Sequence, residues 1–457
     1  MNEEKIKIIK ELLAKLITEV ENLIKSEVSA GNIKSEDELY FRWKLNDFNY
    51  DDHGVTSSGA TSEYVIKKSW IREVSKISEP IKNGQLYKDV LEKLIAEFSQ
   101  NKSVERDVNL FLNKIISEQL ALGNAQKIDG NSLIERFADD LLQRPVKCGA
   151  EIELQGIIMK PREIEPSYGF MIRQPIKEDL EKEVPFYSPI RSYYDPLSYP
   201  SSIASVEFSG RRAQDIQTKI ALMIVILKLF RVSSIKYLSY KMYSDSITDI
   251  AARGGVFLGS QEQVLETDII KRDDESKLKI FWGAIEKLLP LSLYNFGEKE
   301  LTPVCLAYDR YNDALMHNGL LERRIASVVM GLEALLLGET QELKYRLGLR
   351  TARVVSFLDD NPQKVKQIVK DAYDIRSKFA HGSRLSYKDI KSLKLKYGDI
   401  KNLFLTVIDY LRQLIVVMIL IQKSKEEFID LVDDSLIERE KETLLNNLLS
   451  QSRQILS

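Results

Sequence analysis

The chain has 457 residues, 44% apolar and 29% charged, an ordinary soluble composition in a length greater than one hydrophobic core usually organises. Lys and Arg number 66 against 68 Asp and Glu, and the formal charge of -2 argues against coating nucleic acid by bulk charge. Two distant cysteines, Cys148 and Cys305, exclude a disulfide framework and suggest a reducing, cytoplasmic setting, and with only His53, His317 and His381 no metal site of His and Cys at ligand spacing is expected.

The opening residues MNEEKIKIIKELLAKL mix charged and apolar side chains at helical spacing and lack the unbroken apolar core of a signal peptide. Amphipathic helices are predicted at about 3–28, 86–98, 104–122 and 131–143, and the polar stretch 46–64 between the first two reads as a loop or linker. His53 lies in that loop as a solvated residue. Gly54 and Gly59 have the glycine spacing of a phosphate loop, but Ala60 stands where the lysine belongs.

The texture changes at Arg144-Pro145. Short apolar runs, AEIELQGIIM and GFMIRQP, predict strands, and seven of the twelve prolines fall between Pro161 and Pro200, which excludes long helices there. Ile203–Phe208 and Ser234–Met242 read as further strands and Ala213–Phe230 as a buried helix. From about Thr302 the helical period returns and persists. The expected fold is therefore α+β, with a helical N-terminal domain over 1–145, a mixed α/β domain over 146–300 and an all-α bundle over 301–457. The apolar run Leu403–Ile421 carries Asp409, Arg412 and Gln413 in its middle, and a charge at a bilayer centre costs at least about 2.5 kcal/mol. It reads as a core helix, and no membrane partner is expected.

Within the last region, 320–338 places Ile325, Val328, Leu332 and Leu335 on one face, and 340–358 sets Arg350 in an apolar row. A buried arginine needs an acid, and Glu333, enclosed by apolar neighbours, is the expected partner in a structural pair that fixes two helices. Residues 361–381 begin with Asn361 and Pro362 as cap and first turn and stop at Gly382, which puts His381 at the helix end.

The succession GLEALLLGE, LRTARVV and YDIRSKFAHG resembles the HEPN superfamily, in particular the ApeA-like HEPN proteins found among bacterial and phage-defence genes. The superfamily signature is an Arg and a His with four to six residues between them, usually with a polar residue directly after the Arg. Here it matches Arg376, Ser377 and His381. Arg310 and His317 also fit the loose spacing. Seven residues apart, they would share one face of a continuous helix, whereas Arg376 and His381 lie about 140° apart in projection. Ser377 in the polar slot, the two preceding segments and the helix end at His381 favour the second pair, and Arg310 with His317 is a decoy.

The resemblance implies a metal-independent ribonuclease without cofactor, paired as a homodimer through the C-terminal bundle and serving in antiphage defence by abortive infection. RNA supplies its own 2′-hydroxyl nucleophile. His381 can exchange protons near neutral pH and Arg376 can clamp phosphate oxygens, with Ser377, Lys378 and Tyr373 as auxiliary candidates. At His381 the helix C-terminus favours the imidazolium and the neighbouring cations oppose it. Between Lys364 and Lys401 stand eleven Lys or Arg against four Asp, interleaved with Tyr373, Phe379, Tyr387 and Tyr397, a pattern that suits single-stranded RNA. The acid-rich stretch 425–440 is complementary in charge and could mask that segment. Residues 1–300 are placed to sense a phage-derived trigger, and an antitoxin is a further candidate partner. The alternative function is a non-catalytic RNA- or nucleotide-binding or dimerisation module.

Overall fold

A computed structural model describes residues 3–98, 103–122, 128–181, 183–185, 199–210, 213–249, 256–258, 266–295, 301–317, 319–339, 341–358 and 361–456. The fold is α+β, with sheets in the middle and a helical C-terminal region. The N-terminal part runs α1 (Glu3–Ser29), β1 (Glu36–Leu45), β2 (Asn49–Asp51), β3 (Gly54–Thr56), β4 (Ala60–Ser69), α2 (Ile71–Asn83), α3 (Gln85–Glu97), α4 (Val104–Leu122) and α5 (Gly130–Leu141). Leu13, Leu16 and Val20, three and four residues apart on α1, are fully buried, and α1 packs on α4 and α5, whose Phe111 and Phe137 rings stack at 4.5 Å.

The loop expected over 46–64 is instead the distal half of a long hairpin. β1 pairs antiparallel with β4 from Glu36 opposite Ser69 to Leu45 opposite Ala60, and β2 with β3 forms a small hairpin at the tip. Its turn holds Gly54 at φ +94°, a conformation that disfavours a side chain, with the His53 amide donating to Asp51 Oδ1 at 2.7 Å. β4 buries none of its residues, so no apolar alternation marked it. Cross-strand side-chain contacts hold it instead, an ion pair from Arg42 to Glu63 at 3.1 Å and an aromatic contact of Phe41 edge-on to Tyr64 at 5.9 Å among them.

The middle comprises β5 (Val146–Gln155), β6 (Ile157–Met159), β7 (Glu163–Ser167), β8 (Phe170–Arg173), α6 (Lys177–Leu180), β9 (Glu183–Pro185), β10 (Ser202–Gly210), α7 (Ala213–Phe230), β11 (Lys236–Ser244), β12 (Val256–Leu258), β13 (Asp268–Ile270) and α8 (Asp274–Ile285). An antiparallel sheet takes the order β12-β11-β5-β10-β8-β7, and α7 lies against β5, β10 and β11. β9 joins the free edge of β1, where Glu183 meets Arg42 and Lys67.

The C-terminal helices are α9 (Pro303–Met316), α10 (Leu321–Leu336), α11 (Leu343–Leu358), α12 (Pro362–Ala380), α13 (Tyr387–Tyr397), α14 (Ile400–Ile421), α15 (Lys425–Asp434) and α16 (Arg439–Leu456). α14 is long and apolar enough to cross a membrane, yet it is mostly buried as the axis on which α9, α10, α11, α12 and α16 pack. Gly331 lets α10 approach it closely, since a Cβ there would meet Leu411 Cδ2 at 2.6 Å.

Among the described residues two apolar cores result. One joins α1 to α5 and admits Ile247 from the middle region; the other runs without a break from Cys148 to Leu449. The texture change near residue 300 therefore does not divide two cores. Arg412 of α14 donates to the carbonyls of Leu229 and Phe230 at 2.8 and 2.9 Å, supplying donors that the C-terminus of α7 lacks, and Tyr311 Oη reaches Lys228 O at 2.7 Å.

Candidate active site

The site is built on the end of α12. Asn361 caps its start by accepting from the amides of Gln363 and Lys364, and Pro362 fills the first turn. At the other end the amide of Gly382 donates to Phe379 O at 3.0 Å and that of Ser383 to Lys378 O at 2.9 Å, with Gly382 at φ +73°. This closure fixes His381 as the C-cap, directly after the last helical residue Ala380. Its imidazole is exposed and has no hydrogen bond or ion pair among the described residues.

One and a half turns earlier, Arg376 Nη2 donates to Glu333 Oε2 of α10 at 2.9 Å, with side-chain exposures of 29% and 17%. Tyr373 lies beneath the guanidinium, 5.8 Å from ring centroid to Cζ. Among the described residues, the other carboxylate oxygen of Glu333 is buried without a hydrogen-bond partner. Burial pushes the Glu333 carboxyl above its ordinary range, and Arg376 draws it only part of the way back.

The pair expected between Glu333 and Arg350 is thus replaced by two separate arrangements. Arg350 is 1% exposed and uses all five of its N–H donors. Glu339 takes two, at 3.0 and 2.7 Å, Asp433 two, at 2.9 and 2.6 Å, and the carbonyl of Leu336 accepts at 2.6 Å. Glu339 follows α10 and reaches α11 as the chain turns, whereas Glu333 lies further back on α10 and meets α12. Glu339 closes the run GLEALLLGE, close to Arg350 in sequence; Asp433, 83 residues from Arg350, had no local signal.

Ser377 and Lys378 face another side of α12, where they line a cleft of about 300 Å³ against α13 with Asp371, Asp389 and Lys396. Ser377 O accepts from the His381 amide at 3.2 Å, and Lys378 pairs with Asp389 at 2.6 Å. The decoy pair separates: α9 ends at Met316, the chain is extended at His317 (φ -77°, ψ 116°), and Arg310 pairs with Asp313 at 3.4 Å. The relation of one continuous helix face therefore does not exist.

The acids of the basic segment are all engaged. Asp371 accepts from Lys396 at 2.9 Å and Tyr397 Oη at 2.6 Å, Asp374 from Lys344 at 2.6 Å, and Asp399 caps α14. Arg384, Lys388, Lys391 and Lys394 are exposed and make no ion pair among the described residues. Of the interleaved rings, Tyr373 and Tyr397 pack on the core, while Phe379 and Tyr387 remain exposed. The acid-rich stretch does not serve as a detachable mask. α15 packs on α10 and α11, Asp433 is held by Arg350, and Phe428 and Val432 are fully buried, so removing this stretch would open the core.

Other candidates read as structure. Burial pushes the Cys148 thiol up to about 11, away from a reactive thiolate. Cys305 Sγ lies 2.9 Å from Ser292 Oγ and 3.0 Å from Thr302 Oγ1, at the start of α9. Among the described residues no group of three or more His, Cys, Asp or Glu is arranged to hold a metal ion. Comparison of the chain with protein-family models, with curated proteins and with solved structures finds no match.

Proposed function

We propose that this chain is a HEPN-type, metal-independent endoribonuclease that cleaves single-stranded RNA in the cytoplasm as part of antiphage defence. The observation that supports it most is Arg376, anchored through one donor to Glu333 on the same helix end as the exposed, unpartnered His381. Arginine has five donors, so an anchor of this kind leaves four to receive phosphate oxygens. Arg384, Lys388, Lys391 and Lys394 supply the charge that draws a strand in, and Phe379 and Tyr387 offer rings on which bases stack.

In this reaction the 2′-hydroxyl attacks the adjacent phosphate once a base removes its proton. Arg376 stabilises the charge gathering on the phosphate oxygens, and an acid protonates the leaving 5′-oxygen. The products end in a 2′,3′-cyclic phosphate and a 5′-hydroxyl. One imidazole cannot be base and acid in the same step, so two chains pair through the C-terminal bundle and contribute one His381 each. Residues 1–300 act as the sensor of a phage-derived trigger or as the surface for an antitoxin.

The test is cleavage of single-stranded RNA by purified protein with EDTA present. His381→Ala should lower the rate by about 10²- to 10⁴-fold with an unchanged melting temperature. Full activity in His381→Ala, or loss of activity in EDTA, would overturn the proposal. The ion pair that occupies Arg376 favours one second reading, a non-catalytic RNA-binding or dimerisation module. RNA bound by wild type and never cut would establish that reading instead.

A further inference from the structure

β4 lies at one side of the three-stranded sheet β4-β1-β9, and among the described residues no strand pairs with its outer edge. That edge is ten residues long and carries Tyr64 and Ile66 at 60% and 64% exposure, two large apolar side chains on one face. A row of free amides and carbonyls beside exposed apolar surface is a template for another strand. Lysines such as Lys67 deter pairing at an edge, so a strand that docks here has to offer a carboxylate.

β4 itself meets that need. Two copies of it run antiparallel about a two-fold axis perpendicular to the sheet, and only residues of the same face stand opposite each other, so the axis passes through a residue. With the axis at Val65, Glu63 stands opposite Lys67 of the second copy, and Tyr64 opposite its Ile66. The registers within each sheet extend both matches. Glu183 of β9 is opposite Arg42 of β1, Arg42 is opposite Glu63, and Lys67 is opposite Glu38, so the joined row alternates acid and base from Glu183 to the second copy's Glu38. On the other face Phe41 and Tyr64 meet the second copy's Ile66 and Leu39 in an apolar row. Moving the axis by one residue destroys both rows: at Tyr64 it sets Glu63 against Val65, and at Ile66 it sets Tyr64 against Lys68. Glu63 and Lys67 keep 38% and 47% of their side-chain surface exposed beside their partners within the chain, which leaves room for the added contact. We infer that the outer edge of β4 is a self-association surface, on which a second copy of this chain adds its own β4 and two three-stranded sheets become one of six strands. The contact is separate from the C-terminal bundle and does not rest on the ribonuclease proposal.

Sedimentation of the full chain tests it. Glu63→Lys sets like charges against Lys67 of the second copy, and Lys67→Glu does the same against Glu63, so each variant alone should associate about tenfold or more weakly than wild type. Mixed, the two variants meet with opposite charges at every such contact, and the mixture should regain the wild-type size distribution. A hairpin that was merely destabilised would not be rescued by mixing. Cysteine variants read the register directly, since Cys148 and Cys305 are buried. Val65→Cys stands opposite itself and should link into covalent dimers under mild oxidation, whereas Thr61→Cys, about 27 Å from its counterpart, should not. No association of wild type, equal association of Glu63→Lys and wild type, a mixture no larger than its components, or equal linking of the two cysteine variants would overturn the inference.

Discussion

Two arginines in the same helical bundle meet carboxylates in opposite ways. Arg350 is enclosed, all five donors are bonded, and its partners come from the end of α10 and from α15, so it ties three helices at one point. Arg376 is 29% exposed, spends one donor on Glu333, and leaves a carboxylate oxygen without a partner among the described residues. A saturated guanidinium has nothing left to offer a ligand. An anchored, unsaturated one is oriented and still available, which is the condition a phosphate-binding residue must meet.

That contrast breaks if both substitutions act alike. Arg350→Met is expected to have the larger effect on stability, because it strips a buried cation from two carboxylates and a carbonyl. Breaking such a cluster typically costs about 3–5 kcal/mol, and we expect the lower end, about 3 kcal/mol. Glu339 and Asp433 keep 34% and 42% of their side-chain surface exposed, so water can take over part of the lost bonding. Urea unfolding followed by circular dichroism measures it. A loss below about 1 kcal/mol would show that Arg350 is no stronger a tie than a surface pair.

Arg376→Met should cost less, about 1–2 kcal/mol, and the cost should depend on pH. The folded Glu333 carboxyl titrates above its ordinary 4.5 because burial opposes its charge. Its protonated form is favoured by folding, so its contribution to stability falls as pH rises from the unfolded value through the raised folded value. Removing Arg376 takes away the group that drew that value down. The penalty in Arg376→Met should therefore grow as pH rises above 4.5, and adding Glu333→Gln should remove most of the growth. A penalty independent of pH would mean that the pair contributes through packing alone.

These contrasts also show what the sequence could carry. Both ends of α12 were legible because their signals are local: Asn361 and Pro362 at the start and Gly382 past the end act within a turn of where they stand. The burial of Arg350 was legible from the apolar period around it. Its partner was not, since Asp433 is brought in by the tertiary fold from 83 residues away. Glu333 was recognised as an enclosed acid but given to the wrong arginine, because helix periodicity shows which face is buried and not which neighbour covers it. The hairpin of β1 and β4 escaped for a different reason, as solvent on both faces of β4 leaves no alternation to read. Near residue 300 the composition changes while the core continues through Tyr311 and Arg412, side chains that bond backbone carbonyls of a distant helix.

A smaller effect should sharpen the difference between paired and unpaired cations. Each unpaired side chain among Lys388, Lys391 and Lys394 that meets a phosphate should, when changed to Gln, lower the slope of log affinity against log salt for single-stranded RNA by about 0.7. Lys378 pairs with Asp389 at 2.6 Å, and Lys378→Gln should change the slope less. Fluorescence anisotropy across a salt series reads both, and equal slopes in all four variants would remove the basic surface of α13 from the RNA path.

The smallest expected effect is also the one that sets the two clusters directly against each other. Hydrogen bonds from Arg350 hold the Glu339 carboxyl at about 2, below its ordinary 4.5. A depressed carboxyl gives stability that is complete above the unfolded value and is lost as pH falls through the folded one, so Glu339 steepens the acid limb between 4.5 and about 2. Glu333 acts in the other direction, since its raised value makes stability decline as pH climbs above 4.5. Glu339→Gln should flatten the limb below 4.5 and leave the limb above it intact, whereas Glu333→Gln should do the reverse. The Glu339 effect is modest because its side chain is a third exposed and water screens it. Unfolding midpoints across that pH range decide the matter: if both variants flatten the same limb, the two carboxylates share one kind of environment, and the division between a structural arginine and an available one does not hold.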